Sequence, residues 1–389
     1  MKHKINLIAA VLFLALIFGF TAAFVLIPDN SFSEQENRSL RTLPRFTWQK
    51  LTSGEYAAEI NDYFADQFPL RDALVGLKGG TELLLGKGEN NGILLGRNGQ
   101  LAQRLFDICS NGETLNDLDT FDSQTVQTAG ECLTAVADSL DIPFCAVLTG
   151  RSIDVAAQAF DYPRESGDRL REAMHAAVGE KVSYLDTVPL LREKYEAGEY
   201  VYYRTDHHWT TLGAYYAYTE VMRSFGMEDE IIPMEAFDRQ IVATDFYGTA
   251  WSAGGMKTVP PDSMEFWMLG NESDFAVTAD GVKAPLYRTA YLAKKDKYSA
   301  FPCGTHDVVT VLKQTGEARP TLLILKDSFA NSMVPFLMQH FDLAVLNLSS
   351  AKADHTNLTE SVSLYGADYA LLVYTLENVI GSARLGSLR

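Results

Sequence analysis

The hydrophobic pattern opens with an apolar run over residues 5–27 that carries no formal charge. Lys2 and Lys4 precede it, and Pro28 and Asp29 close it. About 20 apolar residues are enough for a helix to cross a bilayer core of about 30 Å. Basic residues on the short leading side place the N-terminus in the cytoplasm and the rest of the chain outside. A cleaved signal peptide is the rival reading, with Thr21, Ala22 and Ala23 as a poor cleavage site. The run continues past Ala23 and is long for the apolar core of such a signal. That favours an uncleaved anchor over 1–28.

After a polar stretch, Tyr56, Ile60, Tyr63, Phe64 and Phe68 recur at helical spacing until Pro69 breaks them. A second helix is predicted over 72–85. Asn98-Gly99, between Ile93 and Leu101, signals a hairpin. Another helix is predicted around 126–140. The pattern then switches to a buried strand over 143–148, a helix over 164–178 and a strand over 182–185. Strand, helix, strand at this spacing is a βαβ unit and makes the chain α/β. A helix follows Trp209, carrying Leu212, Tyr215, Tyr216, Met222 and Phe225.

Residues 228–310 differ, with short β-like runs, Pro260-Pro261 and the charged turn Lys294-Lys295-Asp296-Lys297. They are predicted as an irregular, β-containing insertion. The α/β pattern resumes with a strand from Leu322 to Leu325. A helix-like run follows, carrying Met333, Val334, Phe336, Leu337 and His340. A strand over 344–348, a helix over 356–365 and a strand over 369–374 complete the pattern. The expected organisation is an anchor over 1–28, a helical and hairpin segment over 29–120, and an α/β domain over 121–389. The insertion at about 228–310 interrupts that domain.

With 389 residues and 47% hydrophobic composition, the chain can bury a sizeable core in one large domain or two modest ones. A net charge of -17 argues against a nucleic-acid partner, which needs a basic surface. The four cysteines, at 109, 132, 145 and 303, include no C-x-x-C and no zinc-like spacing with histidine. Cys145 sits in an apolar run and reads as a buried thiol. A Cys109–Cys132 pair outside the cytoplasm is open, and the sequence does not decide it.

Two stretches can carry chemistry. Leu325-Lys326-Asp327-Ser328 ends an apolar strand and begins a helix-like segment. That puts a hydroxyl at the carboxyl edge of a sheet, beside the backbone N–H groups of a helix start. The plainer reading is a helix N-cap. The second stretch is Asp206-His207-His208-Trp209. Histidine is the usual base near neutral pH, and a carboxylate two residues before it can fix its tautomer. Here the plainer reading is a turn or cap aspartate with both histidines satisfied at a helix start. A metal reading is poor, because adjacent histidines rarely converge on one ion and no further ligand cluster accompanies them. No metal and no cofactor are expected.

Tyr203-Arg-Thr-Asp-His-His-Trp-Thr210 and Leu325-Lys-Asp-Ser-Phe-Ala-Asn-Ser332 together resemble the bacterial DHHW family. Glu36-Asn-Arg-Ser-Leu40, Asp66-Gln-Phe-Pro-Leu-Arg71 and Asn91-Gly-Ile-Leu-Leu-Gly96 also look like family segments. The family is similar to SGNH-like O-acetyltransferases acting on exopolysaccharides such as alginate. The resemblance implies an SGNH-like (flavodoxin-like) three-layer sandwich with a mostly parallel sheet. By motif position it implies Asp206 as orienter, His208 as base and Ser328 as nucleophile, with His207 supporting the loop. The implied activity is O-acetyl transfer to, or removal from, a cell-surface polysaccharide by a single-pass, extracytoplasmic enzyme. A membrane acyl-transfer partner is a further expectation from the family.

Two features depart from that pattern. Lys326 stands where SGNH enzymes have the glycine of Gly-Asp-Ser, and the separate glycine and asparagine oxyanion blocks have no clear match. The Ser328 and Phe329 N–H groups, Arg151 and Asn331 are the candidates for oxyanion or substrate contact. Trp209 offers either a stacking face for a sugar or a core anchor. The alternative function is a non-catalytic carbohydrate-binding or envelope scaffold that retains the motif.

Overall fold

The computed structural model describes residues 2–33, 38–104, 123–160, 167–314, 316, 318–348 and 357–381. Cys109, the start of the 164–178 helix and part of the 36–40 segment lie outside the described residues. The chain forms two compact units, residues 1–91 with 252–258 and residues 92–251 with 259–389.

In the smaller unit, the apolar run forms the helix Lys2–Leu26. Its Lys4–Leu26 portion is long and apolar enough to cross a membrane or to serve as a signal sequence. The two amphipathic patterns form the helices Glu55–Asp66 and Arg71–Leu84. Asp66, the last residue of the first of these, accepts from Arg38 at 2.5 Å and from the Arg41 backbone N–H at 2.9 Å. The Arg38 guanidinium holds the Asp66 carboxyl below its ordinary range.

The larger unit is built on an eight-stranded sheet. Its strands, numbered in chain order, are β1 (Phe144–Thr149), β2 (Ser183–Asp186), β3 (Phe275–Ala279) and β4 (Val282–Lys283). They continue with β5 (Val308–Lys313), β6 (Thr321–Lys326), β7 (Asp342–Asn347) and β8 (Tyr369–Thr375). The spatial order is β4-β3-β5-β7-β6-β8-β1-β2. The strands β7, β6, β8, β1 and β2 run parallel. The strands β5, β3 and β4 extend the sheet antiparallel from β7. The sheet is therefore mixed, because part of the predicted insertion joins it. The rest of that insertion includes a separate antiparallel pair, Asp238–Phe246 with Asp262–Met268.

The uniform hydrophobicity of β6 follows from its central place, since both of its faces are covered. Leu322 and Ile324 pack with Tyr215, Tyr218 and Met222 of the helix Thr211–Ser224. Leu323 and Leu325 pack on the other side with Leu133, Leu170 and Met174 of the helices Ser123–Asp138 and Asp168–Ala177. Alternate side chains of one strand thus feed two cores, the period-2 rule applied to a buried strand. Each fully buried leucine is worth about 1.5–3 kcal/mol against exposure.

The Asn98-Gly99 signal gives a hairpin pairing Ile93–Leu95 with Leu101–Gln103. Both turn residues take left-handed φ, 58° and 76°. The helix expected after Ser328 is shorter than its pattern suggests. A 3-10 turn, Ser328–Ser332, precedes a single α turn, Val334–Leu337. A continuous helix from Ser328 would place Pro335 in its interior, where the ring meets the preceding turn. At the start of a new turn the missing N–H does no harm.

Candidate functional site

The β6 strand ends at Lys326, and Asp327 turns the chain. Asp327 donates its N–H to Val373 O of β8 at 3.0 Å. Its carboxylate accepts from Phe329 N at 3.0 Å, Thr375 N at 2.8 Å and Asn378 Nδ2 at 3.3 Å. It therefore caps the 3-10 turn and pins it to the end of β8. Burial pushes the Asp327 carboxyl above its ordinary range. Ser328, next in the chain, is half-buried and lines a cavity of about 440 Å³ with Gln103, Gly150, Arg151, Ser152, His207 and Thr375 among its walls.

Lys326 does not need to be glycine. It lies within the extended strand, and its backbone is not left-handed. Its buried amine donates to Gly304 O at 3.0 Å and Asn331 Oδ1 at 2.8 Å. Burial lowers its pKa.

The 203–208 loop is closed by an antiparallel bridge between Tyr202 and Trp209. Asp262 holds it from behind. That buried carboxylate accepts from Arg204 N at 3.0 Å, Thr205 N at 2.8 Å, Thr205 Oγ1 at 2.6 Å and the Tyr200 hydroxyl. Thr205 Oγ1 in turn accepts from Gly248 N at 3.0 Å.

Asp206 is 2% exposed. One carboxylate oxygen meets His208 Nδ1 at 2.5 Å and accepts from the His208 backbone N–H at 3.0 Å. The other accepts from Thr249 N at 2.8 Å and Thr249 Oγ1 at 3.1 Å. This approach needs a bare backbone at Gly248, where a Cβ would stand 2.2 Å from the Asp206 Cβ. Burial alone would raise the Asp206 pKa. The two histidine rings and the Thr249 N–H outweigh it, so the carboxylate stays well below the usual range.

His208 Nε2 lies 2.7 Å from Ser328 Oγ. The imidazole stacks on Tyr298 at 3.7 Å between centroids and 9° between planes, with His207 on its other side at 3.9 Å. The Tyr298 hydroxyl reaches Ser328 O at 3.2 Å. Burial, reinforced by His207 and opposed by Asp206, pushes His208 down to about 4. The ring is neutral at pH 7. With Nδ1–H donated to Asp206, Nε2 is left as an acceptor facing the serine hydroxyl.

Among the other predicted site residues, Trp209 is fully buried. Its indole N–H reaches Phe329 O at 3.1 Å and Ser332 Oγ at 2.9 Å, so it ties the two segments together and offers no face to a sugar. The Phe329 N–H is taken by Asp327. Asn331 is buried, and its oxygen accepts from Lys326. Arg151 lines the cavity, but its guanidinium is paired with Asp154 and with Glu377 at 3.1 Å. Asp262, Gly248, Thr249 and Tyr298 are absent from the sequence-based set, and no local pattern marks them.

Asp206, His207 and His208 could each turn a ligand atom toward one ion, these atoms lying within 4.8 Å of one another. Here His207 Nδ1 is bonded to Thr249 Oγ1 at 2.7 Å, and both His208 nitrogens are engaged. An ion would have to displace these bonds.

Residues 170–346 match the DHHW protein family, a range that includes both the 206–209 loop and Ser328. The chain carries a DHHW domain. A DHHW family protein from Eubacterium siraeum has a similar structure, at 19% identity and a TM-score of 0.56, covering 76% of this chain and 97% of its own. Bacillus cereus PatB1, solved with a sulfonyl adduct, is similar at 16% identity and a TM-score of 0.60, covering 76% and 98%. The O-acetyltransferase domain of Pseudomonas putida AlgJ matches at 12% identity and a TM-score of 0.43, covering 77% and 95%. No protein of curated function matches the sequence. The E. siraeum and PatB1 structures share the fold of this chain.

Proposed function

We propose that this protein is an acyl transferase or esterase acting on cell-surface polysaccharide, with Ser328 as nucleophile, His208 as base and Asp206 as orienter. The observation that carries this reading is the unbroken hydrogen-bond chain from Ser328 Oγ through His208 to Asp206, opening on a cavity. In the first half-reaction, Oγ attacks the acyl carbonyl as its proton passes to His208 Nε2. The tetrahedral adduct collapses, the bond to the donor's leaving group breaks, and that group takes the proton from Nε2. In the second half, a sugar hydroxyl gives its proton to Nε2 and attacks the acetyl-serine. Ser328 regains its proton when the ester is released. Water in place of the sugar makes the same site an esterase.

The Ser328 N–H has no acceptor among the described residues and serves as one oxyanion donor. The uncharged polar groups of Gln103, Ser152 and Thr375 along the cavity suit hydroxyl-rich ligands. The polysaccharide acceptor follows from the family resemblance. The Lys4–Leu26 helix anchors the chain with the site outside the cytoplasm, as the leading lysines dictate.

The test is peptide mapping by mass spectrometry after brief incubation with 4-nitrophenyl acetate and acid quench. An acetyl group on Ser328 is expected, lost in Ser328→Ala and in His208→Ala while circular dichroism stays unchanged. A sulfonyl fluoride should block the same residue. Full turnover in Ser328→Ala would sink the reading. Glycan binding without acylation in the intact chain would mark a scaffold instead.

A further inference from the structure

The smaller unit turns an apolar face outward. Leu74, Leu77, Leu84 and Leu85, on or flanking the helix Arg71–Leu84, share about 100° of arc at roughly 3.6 residues per turn. Leu77, Leu84 and Leu85 are 66%, 90% and 81% exposed, and Leu70 just ahead of the helix is 71% exposed. The opposite face carries the buried Gly76 and Gly79. A Cβ on Gly79 would stand 2.9 Å from Gly255 O. The helix therefore buries glycine and exposes leucine, the reverse of a helix made for water.

This face is continuous with the apolar N-terminal helix. Phe68 stacks on Phe20 with centroids 5.2 Å apart, and Phe64 stacks on Phe24 at 4.9 Å. Phe20 lies about 9 Å inside the outer end of that helix at roughly 1.5 Å per residue. Phe64 and Phe68 remain half-exposed. Only Pro69 separates Phe68 from the first exposed leucine. Lys78 is exposed on the helix next to this leucine arc, and both it and Lys87, just past the helix end, pair with Glu82 while keeping about half of their side chains exposed. Long basic side chains at such a rim reach lipid phosphates.

We propose that Phe64, Phe68 and the leucine face of Arg71–Leu84 lie in the outer leaflet, as an in-plane membrane contact adjoining the anchor. The occupant is lipid at the boundary of headgroup and acyl chain. The inference rests on reading Lys4–Leu26 as a retained span.

The test places photoreactive benzoylphenylalanine at Phe13, Leu77, Leu84 or Thr258 of the full chain. Each variant is reconstituted in nanodiscs of phosphatidylethanolamine and phosphatidylglycerol. Thr258 is an exposed control on the segment that covers the glycine face. Lipid adducts at 77 and 84, with none at 258, are the expected result. Adducts at 13 but none at 77 or 84 would overturn the face while leaving the anchor intact. Crosslinks from 77 to a second copy would assign the face to self-association and overturn the proposal. No adduct at 13 would overturn the anchor, and the inference with it.

Discussion

Asp206→Asn isolates what one acceptor oxygen does. The wild-type carboxylate receives His208 Nδ1, His208 N, Thr249 N and Thr249 Oγ1. Asparagine has one accepting oxygen and one donating amide. If the oxygen faces Thr249, the amide faces His208 and forces Nδ1 to accept. The ring proton then sits on Nε2 and is donated toward Ser328 Oγ, so the base has the wrong tautomer. If the oxygen faces His208, the amide meets the Thr249 N–H, and buried donors go unpaired at about 1–3 kcal/mol each. The wrong tautomer alone costs about 10⁴-fold in kcat in the comparable serine-protease substitution. That is about 5.5 kcal/mol at roughly 1.4 kcal/mol per tenfold. The expected result is a fall of about 10³–10⁴-fold in kcat/KM for 4-nitrophenyl acetate, carried by kcat with little change in KM. The assay is steady-state release of nitrophenolate at pH 7, with the fold checked by circular dichroism. A folded Asp206→Asn protein within about tenfold of wild type would refute the orienting role.

Acid should act on both rate and stability through His208, whose ring is held down to about 4. The acid limb of kcat/KM should fall near that value and not near 6.5, and His207→Gln should move it upward by removing a neighbour that opposes protonation. An unfolded histidine takes its proton near 6.5, so the stability from burying this ring neutral is present above about 6.5 and lost as pH falls through the folded value. Urea midpoints measured from pH 7 to pH 4 check this. Gly248→Ala puts a Cβ 2.2 Å from the Asp206 Cβ. A displacement of about 1 Å there should cost about 10²-fold in kcat, measured with the same ester. Asp262→Ala leaves Arg204 N, Thr205 N, Thr205 Oγ1 and the Tyr200 hydroxyl without their acceptor. It should destabilise the unit by about 2–4 kcal/mol, read by calorimetry as a lowered melting midpoint.

The parts of the site legible in the sequence are those coded locally. Asp206 and His208 are two residues apart, so one loop can orient both groups. Ser328 follows a run whose apolar character comes from being covered on both faces. The supporting residues are coded by distance. Thr249 meets Asp206 across 43 residues, Asp262 meets Thr205 across 57, and Trp209 meets Phe329 across 120. No periodicity reports such a meeting. A lone glycine, aspartate or tyrosine in an irregular segment looks like any turn or surface residue. The same limit makes Lys326 look like a fault on the oxyanion side. A strand position needs no left-handed backbone, and a lysine there can turn its amine inward to two oxygens. The mixed sheet has a similar origin. Short alternating runs such as β3 and β5 show that strands exist, but not which edge they join.

The irregular segment thus supplies more than a covering. Thr249 holds one oxygen of Asp206, Gly248 and Asp262 hold Thr205 just before it, and Tyr298 lies flat against the ring of His208. Asp206 and His208 stand on the loop closed by Tyr202 and Trp209, while Ser328 stands on the turn after β6. The 2.7 Å between His208 and Ser328 is held by the Trp209 bonds across the two segments together with a wall contributed by residues 248–298. Substitutions in that wall should act on kcat through the position of the imidazole and leave KM nearly unchanged, because the wall residues other than Thr249 do not line the cavity. Tyr298→Ala tests this directly. It removes the stacked ring and the hydroxyl bond to Ser328 O, both next to the reacting atoms. A fall in kcat with KM held would support the wall. A rise in KM alone would place Tyr298 in substrate binding instead.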